Sequence, residues 1–423
     1  MGIRIFVWSL VSALAGFLFG FDTVVISGAE QTIQALWGLS PAQHGLAIGA
    51  ALYGTVFGAL AGGWPADHYG RKPTLLFVGL LYCVSAAWSA LANDVVSFGV
   101  ARFLGGLGIG ISTVVAPMYI TEIAPPAWRG RLTALFQFNI VFGIVVAFAS
   151  NALLADMGDN AWRWMVGVAA FPSLLYTLLC LTIPESQRWL DLRASRASAG
   201  TGNAAGIDGI SAAAERFFSP RLRKPILLAV LVAFFNQLSG INAILYFAPR
   251  IFELTGLGKQ AALLQSVGIG VTNLLFTFLG LWLIDRLGRR TLLLIGSFGY
   301  IASLGLTAWA FHSGHYSIVP ACIFGFIAAH AIGQGTVIWV FISEVFPTSH
   351  RAAGQALGSF THWIFAALLT TFFPGMVAAF APAAVFLFFC GMMVLQLLWV
   401  VTLVPETKGV PLEELEQQLA PRL

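Results

Sequence analysis

The sequence predicts an all-α membrane protein of twelve transmembrane helices, arranged as two pseudo-symmetric six-helix bundles. Three observations carry that expectation. The chain is 58% hydrophobic and only 9% Asp, Glu, Lys and Arg over 423 residues, where an ordinary soluble domain has about 25% charged residues. Twelve stretches are apolar over the length of about 20 residues that a helix needs to cross the hydrocarbon core. A set of short motifs also occurs twice, about half a chain apart.

With a mean hydropathy of +0.85, the chain has too little polar surface to cover itself in water, so lipid is the expected solvent. The spans are predicted at roughly 5–28, 44–65, 74–92, 95–120, 131–154 and 162–183, then 224–248, 261–284, 291–312, 317–343, 353–373 and 382–404. These runs are continuously apolar, without the period-two alternation of an outer-membrane strand. No small-residue cleavage pattern follows the first run, so no removable leader is expected. Cys83, Cys180, Cys322 and Cys390 lie inside apolar stretches and read as packing residues, not disulfides or metal ligands.

With the N-terminus placed inside, 18 of the 22 Lys and Arg residues fall on cytoplasmic segments; Arg163, Arg250 and Lys259 fall outside and Arg102 lies within span 4. Basic residues concentrate on the cytoplasmic side, so both termini are expected there. The net charge of +4 then reflects topology, and no nucleic-acid partner is expected.

The repeat is read from paired motifs. Asp67-His68-Tyr69-Gly70-Arg71-Lys72 closes span 2, and Asp285-Arg286-Leu287-Gly288-Arg289-Arg290 closes span 8. Glu122 and Arg129 follow span 4 at the spacing with which Glu344 and Arg351 follow span 10. Pro184-Glu185-Ser186 follows span 6 and Pro405-Glu406-Thr407 follows span 12. These pairs lie 218, 222 and 221 residues apart. Nearly constant offsets argue for a duplicated six-helix unit with both copies in one orientation. Parallel repeats holding a substrate near the bilayer midplane belong to transporters, although a channel or membrane enzyme could also be duplicated. The expected division is 1–183 and 224–404 for the two bundles, 184–223 for a cytoplasmic linker and 405–423 for a tail. Within the linker, 194–214 is rich in Ala, Gly and Ser and reads as flexible.

Five further stretches follow in order: Arg102-Phe103-Leu104-Gly105-Gly106, Pro184-Glu185-Ser186-Gln187-Arg188-Trp189-Leu190, Gln237-Leu238-Ser239-Gly240-Ile241-Asn242, Asp285 to Arg290, and Pro405-Glu406-Thr407-Lys408-Gly409. This ordered set resembles the sugar porter family of the major facilitator superfamily over nearly the whole chain. The resemblance implies the major facilitator fold and a sugar as substrate. The chain departs from the family pattern at His68, at Gln187 (where Pro is usual), at Asn236 (often Gln) and at Gly333-Gln334-Gly335-Thr336, which lacks a common proline.

Asp22 and Arg102 are the two normally charged groups well inside spans. A charge at the bilayer centre costs about 2.5–3.5 kcal/mol on insertion scales, so such residues usually have a partner and a role. Each lies seven residues from the outer end of its predicted span, about 10 Å deep at 1.5 Å per residue, so they can meet. One reading is a permanent structural salt bridge. The other is a proton switch, in which separation from Arg102 lets the carboxylate take up a proton. The resemblance favours the switch, because proton-coupled sugar porters carry Asp at the position matching Asp22 whereas passive animal glucose facilitators tend to have Asn.

A site for an uncharged polyol needs amide donors and acceptors for the hydroxyls and aromatic faces for the ring. Gln137, Asn236, Gln237, Asn242 and Asn273 are intramembrane amides, costly there without partners. Gly240 would let span 7 bend beside Asn242. By resemblance, Gln137, Gln237, Asn242, Asn273 and Trp339 fall on sugar contacts, and Asn236 falls on another as a changed residue. His362-Trp363 matches a position where relatives carry an amide followed by Trp, and His330 matches one commonly aromatic. Either histidine could bond a sugar hydroxyl, titrate near neutral pH, or simply pack. The amides could equally be links between helices.

Asp67, Arg71, Glu122, Arg129 and Glu185 mirror Asp285, Arg289, Glu344, Arg351 and Glu406, with Arg188 beside the first set. At the cytoplasmic span ends, they are expected to form networks that hold the inner ends together in one state and break in another. The combined expectation is a monosaccharide transporter of the bacterial inner membrane, coupled to protons and acting as a monomer. A proton-independent uniporter, a polyol or organic-anion porter and a transporter-like nutrient sensor are the alternatives; only about 19 residues follow span 12, short for a sensor's tail. No nucleophile–base pair, nucleotide loop or metal cluster points to an enzyme. Gly105 to Gly110 reads as close helix packing, not a phosphate cradle, and no cofactor is expected.

Overall fold

The computed structural model describes residues 2–199, 217–347 and 350–419. Among the described residues, twelve helices are long and apolar enough to span a membrane: Ile3–Gly28, Pro41–Ala61, Arg71–Leu91, Val95–Ile123, Arg129–Leu154 and Ala161–Thr182 (spans 1 to 6), then Pro220–Tyr246, Lys259–Leu287, Arg289–Ser313, Tyr316–Val345, Arg351–Ala379 and Pro382–Leu403 (spans 7 to 12). The described residues contain no strand.

Local chemistry sets the helix starts. Span 2 begins at a capping box, with Ser40 and Gln43 exchanging side-chain and backbone hydrogen bonds ahead of Pro41, which satisfies donors that the first turn leaves free. Asp94 caps span 4 by accepting from the Val96 and Ser97 amides. Spans 3 and 9 both follow a glycine with positive φ, Gly70 at 110° and Gly288 at 91°; a β-carbon is disfavoured in that conformation. The linker differs from expectation: Gln187–Ala199 is helical, so part of the supposed flexible stretch is not. Residues 200–216 of the linker and 420–423 of the tail lie outside the described residues, whereas Leu412–Leu419 forms a helix against the end of span 10.

The two halves pack alike. Spans 1 and 5, 2 and 4, 3 and 4, and 3 and 6 pair in the first half, as 7 and 11, 8 and 10, 9 and 10, and 9 and 12 do in the second. Between halves, span 2 packs on span 11 and span 5 on span 8, two contacts that the repeat interchanges. Small residues bring the backbones together. A β-carbon on Gly106 would stand 1.8 Å from the Ala51 carbonyl oxygen of span 2, and one on Gly45 the same distance from that of Thr371 in span 11. Large apolar side chains such as Phe57, Phe171 and Leu398 remain exposed, as a lipid-facing surface requires.

Since the spans alternate in direction, the start of span 1 and the end of span 12 share one face, the near face; the other is the far face. Hydrogen bonds joining the halves lie toward the far face: Arg250 to Glu30 and Gln34, Gln31 to Glu253, Gln260 to the Ala152 carbonyl, and Tyr53 to Thr371.

Candidate functional site

Span 7 is where sequence chemistry shapes the site most directly. Its helix ends at Leu238 and restarts at Ile241 because Gly240 takes φ +90°. The break swings Asn242 back onto the preceding turn, where its Nδ2 donates to Gln237 Oε1 at 2.6 Å. The Gln237 Nε2 donates to Asn236 Oδ1 at 2.9 Å and lies 3.2 and 3.1 Å from the two ring nitrogens of His362. His362 in turn packs against Trp339, ring centroids 5.1 Å apart, and meets Trp363 edge-on at 4.7 Å. Asn236, Gln237, Asn242, Trp339, His362 and Trp363 therefore form one cluster of amides, imidazole and indoles. Phe19 of span 1 closes it from the other half, 5.5 Å from Trp363.

Among the described residues, the other candidates make no hydrogen bond to that cluster. His330 Nδ1 is 2.6 Å from the Tyr300 hydroxyl of span 9, so it is engaged on the side of span 10 that faces span 9. Asn273 is buried and accepts a long hydrogen bond, 3.4 Å, from Thr277 one turn along its own helix. Gln137 is half-buried on span 5.

Asp22 and Arg102 meet. Arg102 Nη1 donates to Asp22 Oδ1 at 2.6 Å and Nη2 to the Asp22 carbonyl at 3.0 Å. The residues are 4% and 1% exposed. Asp22 Oδ2 and Arg102 Nε are buried without a hydrogen-bond partner. A buried orphan oxygen on a carboxylate is costly, and it is a place where a proton or a polar ligand can bind.

On the near face, each half closes its own charged network. Arg71 reaches Glu122 through Nε (3.0 Å to Oε2) and Nη2 (2.7 Å to Oε1), and Asp67 through Nη1 at 3.0 Å. Arg289 repeats this with Glu344 at 3.1 and 2.8 Å and Asp285 at 3.3 Å. The aspartates contribute least, being 58% and 81% exposed at the side chain. Glu185 and Glu406 do something else: they accept backbone amides that open spans 3 and 9, Arg71 N at 3.0 Å and Arg289 N at 2.9 Å. A carboxylate there stabilises the helix start and its dipole. Arg129 and Arg188 are exposed, while Arg351 has Nε and Nη2 buried without a partner.

Two features escape the sequence reading. Residues Ala331–Gly335 form a π-helical turn inside span 10, a distortion frequent at functional sites. From it Gln334 donates to Gln396 of span 12 at 2.8 Å, and Gln396 donates to Ser297 of span 9 at 2.8 Å. On the far face, Glu30 is fully buried between His44 (3.0 Å) and Arg250, which grips it through Nε at 2.9 Å and Nη2 at 2.8 Å.

The profile of the family described as "Sugar (and other) transporter" matches residues 8–419. The arabinose-proton symporter of Bacillus subtilis (strain 168) is 36% identical to this chain, covering 97% of it and 94% of the relative. The D-xylose-proton symporter of Escherichia coli (strain K12) is 32% identical, covering 97% and 95%. Among solved structures, the inward open conformation of the xylose transporter XylE from E. coli superposes with a TM-score of 0.85 at 30% identity, covering 98% of this chain and 99% of that one. The proton:xylose symporter XylE bound to 6-bromo-6-deoxy-D-glucose gives 0.76 at 29% identity, covering 98% and 99%.

Proposed function

The chain belongs to the Sugar (and other) transporter family, and on that premise we propose that it carries a monosaccharide across the bacterial inner membrane by alternating access, in symport with a proton. The observation that carries the coupling is the buried Arg102–Asp22 contact with Asp22 Oδ2 left unpartnered. Here the carboxylate has the guanidinium as its counter-charge; a cycle that separates the two leaves a buried charge uncompensated, and a proton from the gradient would neutralise it. The names of the arabinose-proton and xylose-proton symporters support a proton as co-substrate.

The sugar is bound by Gln237, Asn242 and Asn236 with the Trp339 face and His362, joined by Gln137, Asn273, His330 and Trp363 from the surrounding spans. Residues 1–183 and 224–404 act as the two rocking units, and one monomer suffices. The basic-residue bias makes the near face, with both termini, cytoplasmic. The far-face bonds between halves then close the outside, which makes this arrangement inward-facing. In the outward-facing state the near-face networks come together across the halves.

Proteoliposomes tested with a panel of pentoses, hexoses and polyols, with and without an inward proton gradient, check the proposal. Accumulation of one sugar only with the gradient supports symport. Equilibration that ignores the gradient makes the protein a uniporter and Asp22–Arg102 a structural pair.

A further inference from the structure

We propose that His44, Glu30 and Arg250 form an outer latch in which a proton on His44 replaces Arg250 when the far face opens. The inference rests on alternating access, but not on the role of Asp22.

Glu30 and His44 are both fully buried and both belong to the first half, Glu30 on the short helix after span 1 and His44 in the first turn of span 2. Arg250 comes from the second half, on the short helix after span 7. Neither ring nitrogen of His44 has a hydrogen-bond partner; Nε2 stands 3.0 Å from Glu30 Oε2, and the ring meets Phe247 edge-on at 6.0 Å. In this closed arrangement Arg250 holds Glu30 bidentately, so guanidinium and carboxylate balance each other. Opening the far face must draw Arg250 away, because it is the member that crosses between halves. Glu30 would then lose its counter-charge while still 3.0 Å from His44 within the first half. A proton taken from the outer solution onto the imidazole restores neutrality, as an imidazolium–carboxylate pair within the first half. On closing, Arg250 returns and the proton leaves to the same solution, since imidazolium and guanidinium against one carboxylate leave a net buried charge.

The charged groups facing this corner are Arg250 and Glu253, with Lys259 acting on Glu253 from the start of span 8. Gln34 and Gln31 bond Arg250 and Glu253 respectively. Burial raises the Glu253 carboxyl above its ordinary range, against the lowering effect of Gln31, so it is the one neighbour that could imitate the response of His44.

The test is the distance between nitroxides at Leu36→Cys and Leu254→Cys, on exposed positions of opposite halves, in full-length protein without its four native cysteines. Measured in nanodiscs without sugar, in the Asp22→Asn background, it excludes the other proton site and does not depend on symport. The far-face-open population is expected to rise about threefold or more as pH falls from 8 to 5, the range in which imidazole titrates. In His44→Gln that rise is expected to vanish, while Glu253→Gln keeps it. In Arg250→Gln the open population is expected to be high at every pH, which keeps the proposal testable if His44→Gln does not fold. A rise that survives in His44→Gln, or that Glu253→Gln abolishes, or an unresponsive parent protein, overturns the proposal.

Discussion

Replacing Asp22 by Asn separates coupling from structure, because Asn keeps the size and an acceptor but cannot carry the proton. The Nη2 bond to the backbone carbonyl of residue 22, 3.0 Å long, does not depend on the side chain. The bond from Nη1, 2.6 Å, survives as a neutral-acceptor bond. Neutralising one partner of a buried pair costs about 3–5 kcal/mol because the other charge is left uncompensated; the two surviving bonds offset part of that, so the substitution should lower Tm and leave a folded protein. The functional effect is much larger. One pH unit acting on one coupled proton is worth about 1.36 kcal/mol, a tenfold concentration ratio, so a gradient of about two units supports roughly a hundredfold accumulation in the wild type at one proton per sugar. In proteoliposomes Asp22→Asn is expected to bring internal sugar only to the external level, while counterflow exchange persists. Accumulation by the variant above the medium would refute the assignment, because the proton would then be riding on another group.

Three further outcomes are expected. Gln237→Ala leaves Asn242 without its 2.6 Å acceptor and should raise the exchange KM about tenfold, the effect of about 1.4 kcal/mol, with a smaller change in maximal rate. Gly240→Ala forces a β-carbon into φ +90° and within 2.8 Å of the Phe389 ring; a cost of about 1–3 kcal/mol for such backbone strain should appear as a lower Tm in detergent. Glu253, whose carboxyl burial pushes upward, binds its proton more tightly folded than unfolded. Its contribution to stability is therefore present at acid pH and lost as pH rises through the folded value, so Tm should fall over that window and Glu253→Gln should flatten the fall.

The fold was legible because lipid is a demanding solvent: every run of about 20 apolar residues must cross or be buried. For the same reason Asp22, Arg102 and the span 7 amides stood out, since polar groups at that depth are too costly to be incidental. The glycine break was legible too, as Gly240 sits between two amides that only a bend brings together. The π-turn was not. Gly333 and Gly335 mark span 10 as deformable, but nothing local distinguishes a bend from a turn that adds one residue and aims Gln334 at Gln396 of span 12. The linker was misread through composition, because Ala-rich sequence suits a helix as well as a loop; residues up to Ala199 are helical.

The far-face latch was missed for an energetic reason. A charged residue at a span end is cheap, so Glu30 and Arg250 raised no alarm. The duplication nevertheless held a signal. Arg250 lies 220 residues from Glu30 and Glu253 lies 222 from Gln31, separations within the range of the repeat offsets. In a molecule of two like halves, a residue can touch its own counterpart only on the axis that relates them. Where the repeat keeps the same residues, as with Asp67 and Asp285 or Glu122 and Glu344, each copy finds its partner inside its own half. Where it sets an acid opposite a base, as with Glu30 and Arg250, the halves can pair with each other. The point at which the two copies have diverged into opposite charges, Glu30 and Arg250, is thus one at which the halves are held together, and it is a bond that an alternating cycle must break.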